Sequence, residues 1–334
     1  MIVKYLWQRA DERVKELKEQ NGEAYVIWDE SVLEKSESLQ AEGLCAVRST
    51  KAARLKRIKP GYFNPPSGRP IFVPGFNWLQ LLVTGMQGAP LLAHLRWWTT
   101  RGENASKRRE IEGKILRKVA RLWGRQVLHI WDRGFAGSPW TTLALDHHLR
   151  FIQRWNTSYH LVGPEGGKQA GWKVSQGKRS WEYRMIWDAR RRCLRKTGII
   201  AFPIHLPDDD RSLFLVVSRP GYGRKPWYLL TTELIHSPEQ AWQIVFAYAR
   251  RWQIEMSLRF TKSEMAFESP RLLKWESRLK FLLIAALAYA FLLSLLPNTE
   301  FLFHLLSLYC HRTGKWSQEV LAPLYRLRLA ISRL

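Results

Sequence analysis

Cysteine is scarce. There are three in 334 residues, Cys45, Cys193 and Cys310, far apart and in no Cys-x2-Cys pair. This excludes a disulfide framework and a structural zinc site and suits a reducing, cytoplasmic compartment. Acid is scarce too: 29 Asp+Glu face 53 Lys+Arg, for a formal net charge of +24. A chain this basic repels itself unless a polyanion relieves it, so nucleic acid is the first partner class and an anionic membrane surface the second. Long apolar runs are nearly absent. The first residues contain no apolar signal-peptide core, and the longest run, residues 281–296, has 16 residues, against about 20 for a spanning helix. It is read as a buried helix, with no membrane partner. No internal repeat or low-complexity segment is present, and 46% hydrophobic against 25% charged residues is an ordinary globular balance, which excludes a mainly disordered chain. Tryptophan is plentiful, with 17 residues, and serves either as core or as a platform for bases.

Along the chain, residues 3–20 read as an amphipathic helix stopped by Asn21-Gly22. Residues 24–28 (AYVIW) form a buried strand ending at Asp29. Residues 44–60, with six Lys/Arg and no acid, are a basic surface loop. Residues 69–99 predict two strands around Met86-Gln87-Gly88. Residues 105–123 predict a helix with Ile111, Ile115, Val119 and Leu122 on its apolar face and Gly124 as its cap. Residues 127–131 (VLHIW) are a second short apolar strand, ending at Asp132, and Ser138-Pro139 starts a helix with Ser138 as N-cap. Residues 149–232 read as a series of short, mostly antiparallel strands. They are basic, with nine Lys/Arg between Lys173 and Lys196 against Glu182 and Asp188. After Ser237-Pro238 a single long helix is expected over 239–265, then the apolar helix, ended by Pro297, then helical pieces. The order describes an α/β core with a large β insertion before its last helices.

Two short apolar strands each ending in an acid place Asp29 and Asp132 where an open α/β sheet presents its ligand site. Two carboxylates meeting there call for neutralisation, and paired Mg²⁺ ions with a third carboxylate make a two-metal site for displacement at phosphorus. The long helix offers that third acid. At helical spacing Tyr248, Arg251, Glu255, Arg259 and Lys262 share one stripe, with one acid among cations and an aromatic at its head. Such a stripe suits a phosphate beside a metal ligand; taken alone it also reads as a charged surface face.

The spacing Tyr248-x2-Arg251-x3-Glu255-x6-Lys262 resembles the signature of the IS4-type DDE transposases in every fixed position. Asp29-Glu30-Ser31 resembles the family's first-aspartate motif and Asp132-Arg133-Gly134-Phe135 its second. The β-rich block falls where the family carries an insertion, and Trp227-Tyr-Leu-Leu-Thr231 resembles the strand before its last helices. The resemblance covers roughly residues 24–295. It implies a ribonuclease H-like catalytic core interrupted by a mostly antiparallel β insertion, and metal-dependent DNA cleavage and strand transfer at an insertion sequence's terminal inverted repeats. By resemblance, Asp29, Asp132 and Glu255 hold two Mg²⁺ or Mn²⁺ ions. Tyr248, Arg251, Lys262 and, more weakly, Arg259 grip phosphate; Arg133 contacts DNA; and Trp227 stacks on a base flipped from the end. The partners implied are double-stranded DNA and a second copy of the chain in a homodimeric synaptic complex, in a prokaryotic cytoplasm at the nucleoid. The organisation expected is an N-terminal helix (1–23), first core part (24–148), β insertion (149–236), last core helices with the catalytic Glu (237–296) and a helical tail (297–334). Only 28 residues precede Asp29, where the family carries a longer end-recognition region, so this region reads as short or truncated.

Other readings of the same residues stay open. Asp29 and Asp132 also suit strand-end caps, and Trp227 suits the core of the insertion. Asp146, mid-helix, and Asp188, in the β block, are rival acids without the strand-end position. Asp208-Asp209-Asp210 reads as a solvated turn, His147-His148 as structural, and Trp28, Trp78, Trp97 and Trp131 as packing. Two alternatives to the function the resemblance implies stay open: a truncated transposase remnant that binds DNA without transposing, and a ribonuclease H-like nuclease.

Overall fold

The computed structural model describes residues 1–35, 40–49, 52, 70–188, 192–221, 223–309, 327–328 and 331–332. Most of the expected basic loop at 44–60, Cys310 and most of the C-terminal tail lie outside the described residues. The chain is mixed α/β and forms two compact units. One comprises Met1–Lys15, Asp29–Ile115 and Gln253–Leu334; the other comprises Glu16–Trp28 and Leu116–Trp252. The chain crosses between them within the first helix, α1 (Ile2–Glu19), and the first strand, β1 (Ala24–Glu34).

In the second unit, residues 24–28 of β1 pair in parallel with β5 (Val127–Trp131), and β5 pairs in parallel with β6 (Arg150–Arg154). All five residues of β1 in this stretch and all five of β5 are buried, as strands covered on both faces require. Trp28, His129, Trp131, Phe135 and Trp140 pack ring against ring, with Trp28 about 6 Å from each of the other four. His129 is wholly buried; its Nδ1 accepts a 3.0 Å hydrogen bond from Trp28 Nε1, and burial pushes its pKa down to about 3, so the ring is neutral. Helix α2 (Arg108–Trp123) precedes β5 and α3 (Ser138–Asp146) follows it. Beyond β6 the pairing turns antiparallel, through β12 (Trp227–Thr231), β11 (Asp209–Pro220) and β10 (Cys193–Leu206). The first half of β10 carries β9 (Glu182–Asp188), and its end meets β7 (His160–Val162), which pairs with β8 (Lys168–Ala170). A one-turn helix, α4 (Gly171–Val174), follows β8, and α5 (Pro238–Ala249) closes the unit, its N-cap Ser237 accepting from Gln240 N. The expected series of antiparallel strands over 149–232 is present.

In the first unit, the remainder of β1 runs beside β3 (Phe72–Thr84), which pairs antiparallel with β2 (Cys45–Arg48) and β4 (Leu91–Trp98). Lys35 N donates to Pro74 O at 2.8 Å across this junction, and Gly75 is required there: a Cβ would collide with the Leu33 carbonyl and the Val47 side chain. Helix α6 (Trp252–Ser263), α7 (Trp275–Leu295) and α8 (Thr299–Tyr309) complete the described part. Phe76, Trp78, Trp97, Phe267 and Trp275 form its aromatic core, each fully buried ring contributing roughly 1.5–3 kcal/mol.

Several expectations are corrected. The first strand does not end at Asp29 but continues to Glu34, because Val32-Leu33 resumes the apolar pattern against β3. The long helix over 239–265 is two helices, α5 and α6, broken at Arg250 and Arg251. There the amides bond the carbonyls three residues back, Ala247 and Tyr248, at 3.1 and 3.0 Å, and the four-residue ladder stops. The apolar helix starts at Trp275 and is buried on one face only: Leu282, Ala285, Tyr289 and Leu292 face inward, whereas Ile284, Leu287 and Phe291 are exposed. By length and composition it is long and apolar enough to cross a membrane, with 39% of its most apolar window buried. Leu122 is exposed and Trp123 takes its place in the core. Ser138 is the first helical residue, and Gly137 is the N-cap. Asp146 ends its helix and pairs with Arg211 at 2.8 Å. Asp209, in place of a solvated turn residue, starts β11 and is held by Arg211. The four tryptophans read as packing are all buried.

Candidate functional site

The signature segment runs through both units, and each of its ends can be followed inside one of them. In the first unit, Asp29 opens a half-buried stretch of β1, residues 29–32. Its Oδ1 accepts a 2.8 Å hydrogen bond from the Glu30 amide. Alternation along a strand puts Asp29 and Ser31 on one face and Glu30 on the other. On Ser31's face, Lys262 Nζ donates to Ser31 Oγ at 2.6 Å, with the same ammonium 5.9 Å from the centre of the Trp78 ring. Lys262 lies in the last turn of α6 and Glu255 in its first, where the acid complements the helix dipole. Gln80 Nε2, from β3, reaches Ser257 Oγ and fixes the buried side of that helix. Glu255 is half-buried and Arg259 exposed. On the opposite face of β1, Glu30 pairs with Arg108 at 2.6 Å, beside the fully buried Glu112, which Arg108 and Arg109 also bind. Burial, then the Glu112 charge, pushes Glu30 up to about 8, against the pull of Arg108.

In the second unit, Asp132 follows β5 directly. Its carboxylate accepts from Gly134 N at 2.7 Å and caps a 3-10 turn, Arg133–Phe135, anchored by buried Phe135, while Arg133 is exposed. Tyr248, next to last in α5, is 2% exposed. Burial raises its phenol pKa; Arg251 and Arg154 pull it down, the latter with a side-chain hydrogen bond, and the Asp132 charge pushes it up. Its ring stands 5.2 Å from that of Trp227 at 73°, and the Arg251 guanidinium is 5.8 Å from its centre. Arg154 lies 5.9 Å from the Trp227 ring. Thus Asp132, Tyr248, Trp227, Arg251 and Arg154 share one neighbourhood: two guanidiniums around a buried phenol, with an acid beside it. Such a cluster presents a fork of donors to an anion.

Arg154 is the functional candidate missed in the sequence. A signal for it exists: it ends β6, the parallel neighbour of the strand that ends in Asp132. The expected five-residue helical stripe is not continuous, because Tyr248 lies on α5, Arg251 in the break, and Glu255, Arg259 and Lys262 on α6. The rival acid Asp188 is engaged by Arg195 and Arg224, both at 2.7 Å. Among the described residues, no three His, Cys, Asp or Glu side chains form a group that would hold a metal ion.

No family model matches the sequence, and no curated protein is significantly similar to it. Among solved structures, a piggyBac transposase synaptic complex with hairpin DNA, determined by cryo-EM, is similar at a TM-score of 0.47 and 14% identity, over 92% of this chain and 52% of that one. The chain therefore spans about half the length of that structure. Likeness at this level defines neither family nor mechanism.

Proposed function

We propose that the chain is a DDE-type transposase with an IS4-type signature on a ribonuclease H-like core, cutting double-stranded DNA at the ends of an insertion sequence and joining them to a target. One observation carries the reading: the last residue of the Tyr248…Lys262 signature meets the first aspartate motif. Lys262 bonds Ser31, two residues from Asp29. Nothing in a generic charged helix calls for that meeting.

In this reading Asp29, Asp132 and Glu255 are the acids, all hard oxygen donors of the kind that suits Mg²⁺ or Mn²⁺. Two such ions, when bound, would supply charge to activate the attacking oxygen and stabilise the leaving one. Arg251, Arg154 and Lys262 take the phosphate, and Tyr248 orients it through its hydroxyl. Trp227 receives a displaced base, whose unstacking stacking helps offset. Arg133 and Arg259, both exposed, contact the flanking backbone. Pairing of two ends calls for two copies of the chain, working in the cytoplasm where the DNA is.

The test is a supercoiled plasmid carrying the gene with its native flanking DNA, incubated with the protein and Mg²⁺ or with chelator. Metal-dependent breaks at two discrete flanking positions support the reading. Nicks at scattered positions favour a ribonuclease H-like nuclease. Binding with a steep salt slope, without sequence preference or cleavage, favours a DNA-binding remnant.

A further inference from the structure

The β9–β10 ribbon has a surface that the catalytic reading does not use. Along β9 exposure alternates strictly: Tyr183, Met185 and Trp187 are 55%, 57% and 58% exposed, whereas Glu182, Arg184, Ile186 and Asp188 turn to the other face. The register sets Leu194 of β10 opposite Trp187 and Lys196 opposite Met185. Both are exposed, so they extend the same face. Opposite Tyr183 stands Gly198, where a Cβ would strike the Tyr183 ring; its absence lets that ring lie across β10, with Lys196 Nζ 4.9 Å from the ring centre. Trp181, 45% exposed, continues the row, its amide bonded to Ile199 O.

Burying such a row would ordinarily stabilise the fold, and here it is left in water. Charge selects the occupant. Both acids of the ribbon lie on the other face, where arginines engage them: Asp188 by Arg195 and Arg224, and Glu182 by Arg184. The aromatic face carries Lys196, and Arg179 and Arg192 are exposed just outside the paired strands. Among the described residues of β9 and β10, this apolar, aromatic face carries a cation and no acid, which fits a nucleic-acid strand better than a protein, whose docking face would bring acids into register with these cations. Spacing narrows the choice further. Side chains at i and i+2 on a strand are about 6.6–6.8 Å apart, about twice the 3.4 Å rise of stacked bases. The row therefore matches bases that are splayed apart and mismatches a stacked duplex.

We propose that the Tyr183–Met185–Trp187 row is a platform for unpaired bases of single-stranded DNA, separate from the Trp227 neighbourhood. It rests on the ribbon's own residues and is independent of any cleavage activity. The full-length chain is titrated into fluorescein-labelled oligo-dT of about 20 nucleotides, long enough for a groove of this class, and into a duplex of equal length, each followed by anisotropy. Trp187→Ala and Tyr183→Ala each weaken oligo-dT binding about tenfold and change duplex binding less than twofold; Trp187→Phe, which keeps a stacking ring, restores most of the loss. Cleavage is read separately, on the supercoiled plasmid with the wild-type chain, so absence of cleavage and absence of oligo-dT binding are distinguishable. Three results would overturn the proposal: oligo-dT affinity unchanged in the alanine variants, equal losses for both DNAs, or a Trp187→Ala chain that alters its oligomeric state by gel filtration with both affinities intact. The last outcome would mark the row as an interface between copies. Each replaced side chain is more than half exposed, and unchanged circular dichroism checks that the variants fold.

Discussion

Lys262 Nζ donates to Ser31 Oγ at 2.6 Å, tying the last turn of α6 to the half-buried stretch of β1 that begins at Asp29. The bond sets the face of α6 that the strand meets. Glu255 and Lys262, seven residues apart, share that side of the helix.

The pair is energetically coupled. Ser31→Ala and Lys262→Met each destabilise the protein, and the double variant loses less than the sum, by about 1 kcal/mol. Urea unfolding of the four proteins measures this. Strict additivity would mean that the two groups do not interact in solution.

Arg154 is expected to matter for DNA more than for folding. Arg154→Gln removes the fork of donors beside Tyr248 and Trp227, and binding of duplex DNA weakens by roughly 10-fold, with a shallower dependence on salt. Arg154→Lys retains the charge but not the fork and recovers only part. Equal affinities of the three proteins across a salt series would remove Arg154 from the site.

Folding stability carries a pH signature from His129. Burial holds its pKa at about 3, below the ordinary value of about 6.5. The unfolded chain therefore binds the proton more readily, and the stability from keeping this ring neutral is complete above about 6.5 and is lost as pH falls toward 3. Thermal melts of the wild type between those limits show a falling Tm. His129→Phe, which cannot take up a proton, shows a shallower fall, although it loses the Trp28 hydrogen bond. Parallel slopes would contradict the assignment.

The local pattern of the fold was legible where one period governs. The runs AYVIW and VLHIW become wholly buried parallel strands, whereas in the β block β10 runs from Cys193 through Gly198 and Pro203 to Leu206, past residues that read as strand breaks. The candidate site was legible through spacing: Tyr248, Arg251, Glu255 and Lys262 stand out because a stripe with one acid among cations is unusual. Tertiary contacts were not. The break at Arg250 and Arg251 has no proline or glycine to announce it, so helical periodicity runs straight through Tyr-Ala-Arg-Arg-Trp. Arg154 is one more basic residue until β6 is placed beside β5. The exposed side of α7 has the same apolar composition as its buried side, and no sequence period separates them.

Trp227 distinguishes a base platform from a core residue. It is half-buried and set edge-on to Tyr248. Trp227→Ala leaves the Tm within a few degrees and reduces cleavage of intact ends about 10-fold or more, whereas pre-melted ends lose much less. A collapse of Tm with both substrates equally affected would make it a packing residue.

The central claim is that Asp132 is an acid of a DNA-cleaving centre. Its most direct test is single-turnover cleavage of a supercoiled plasmid carrying the gene's native flanks, comparing wild type with Asp132→Asn, which keeps the size of the side chain and removes its charge. The account predicts discrete breaks by the wild type in Mg²⁺ and a rate at least about 100-fold lower in the variant, with duplex binding retained. Cleavage by Asp132→Asn at the wild-type rate would contradict it.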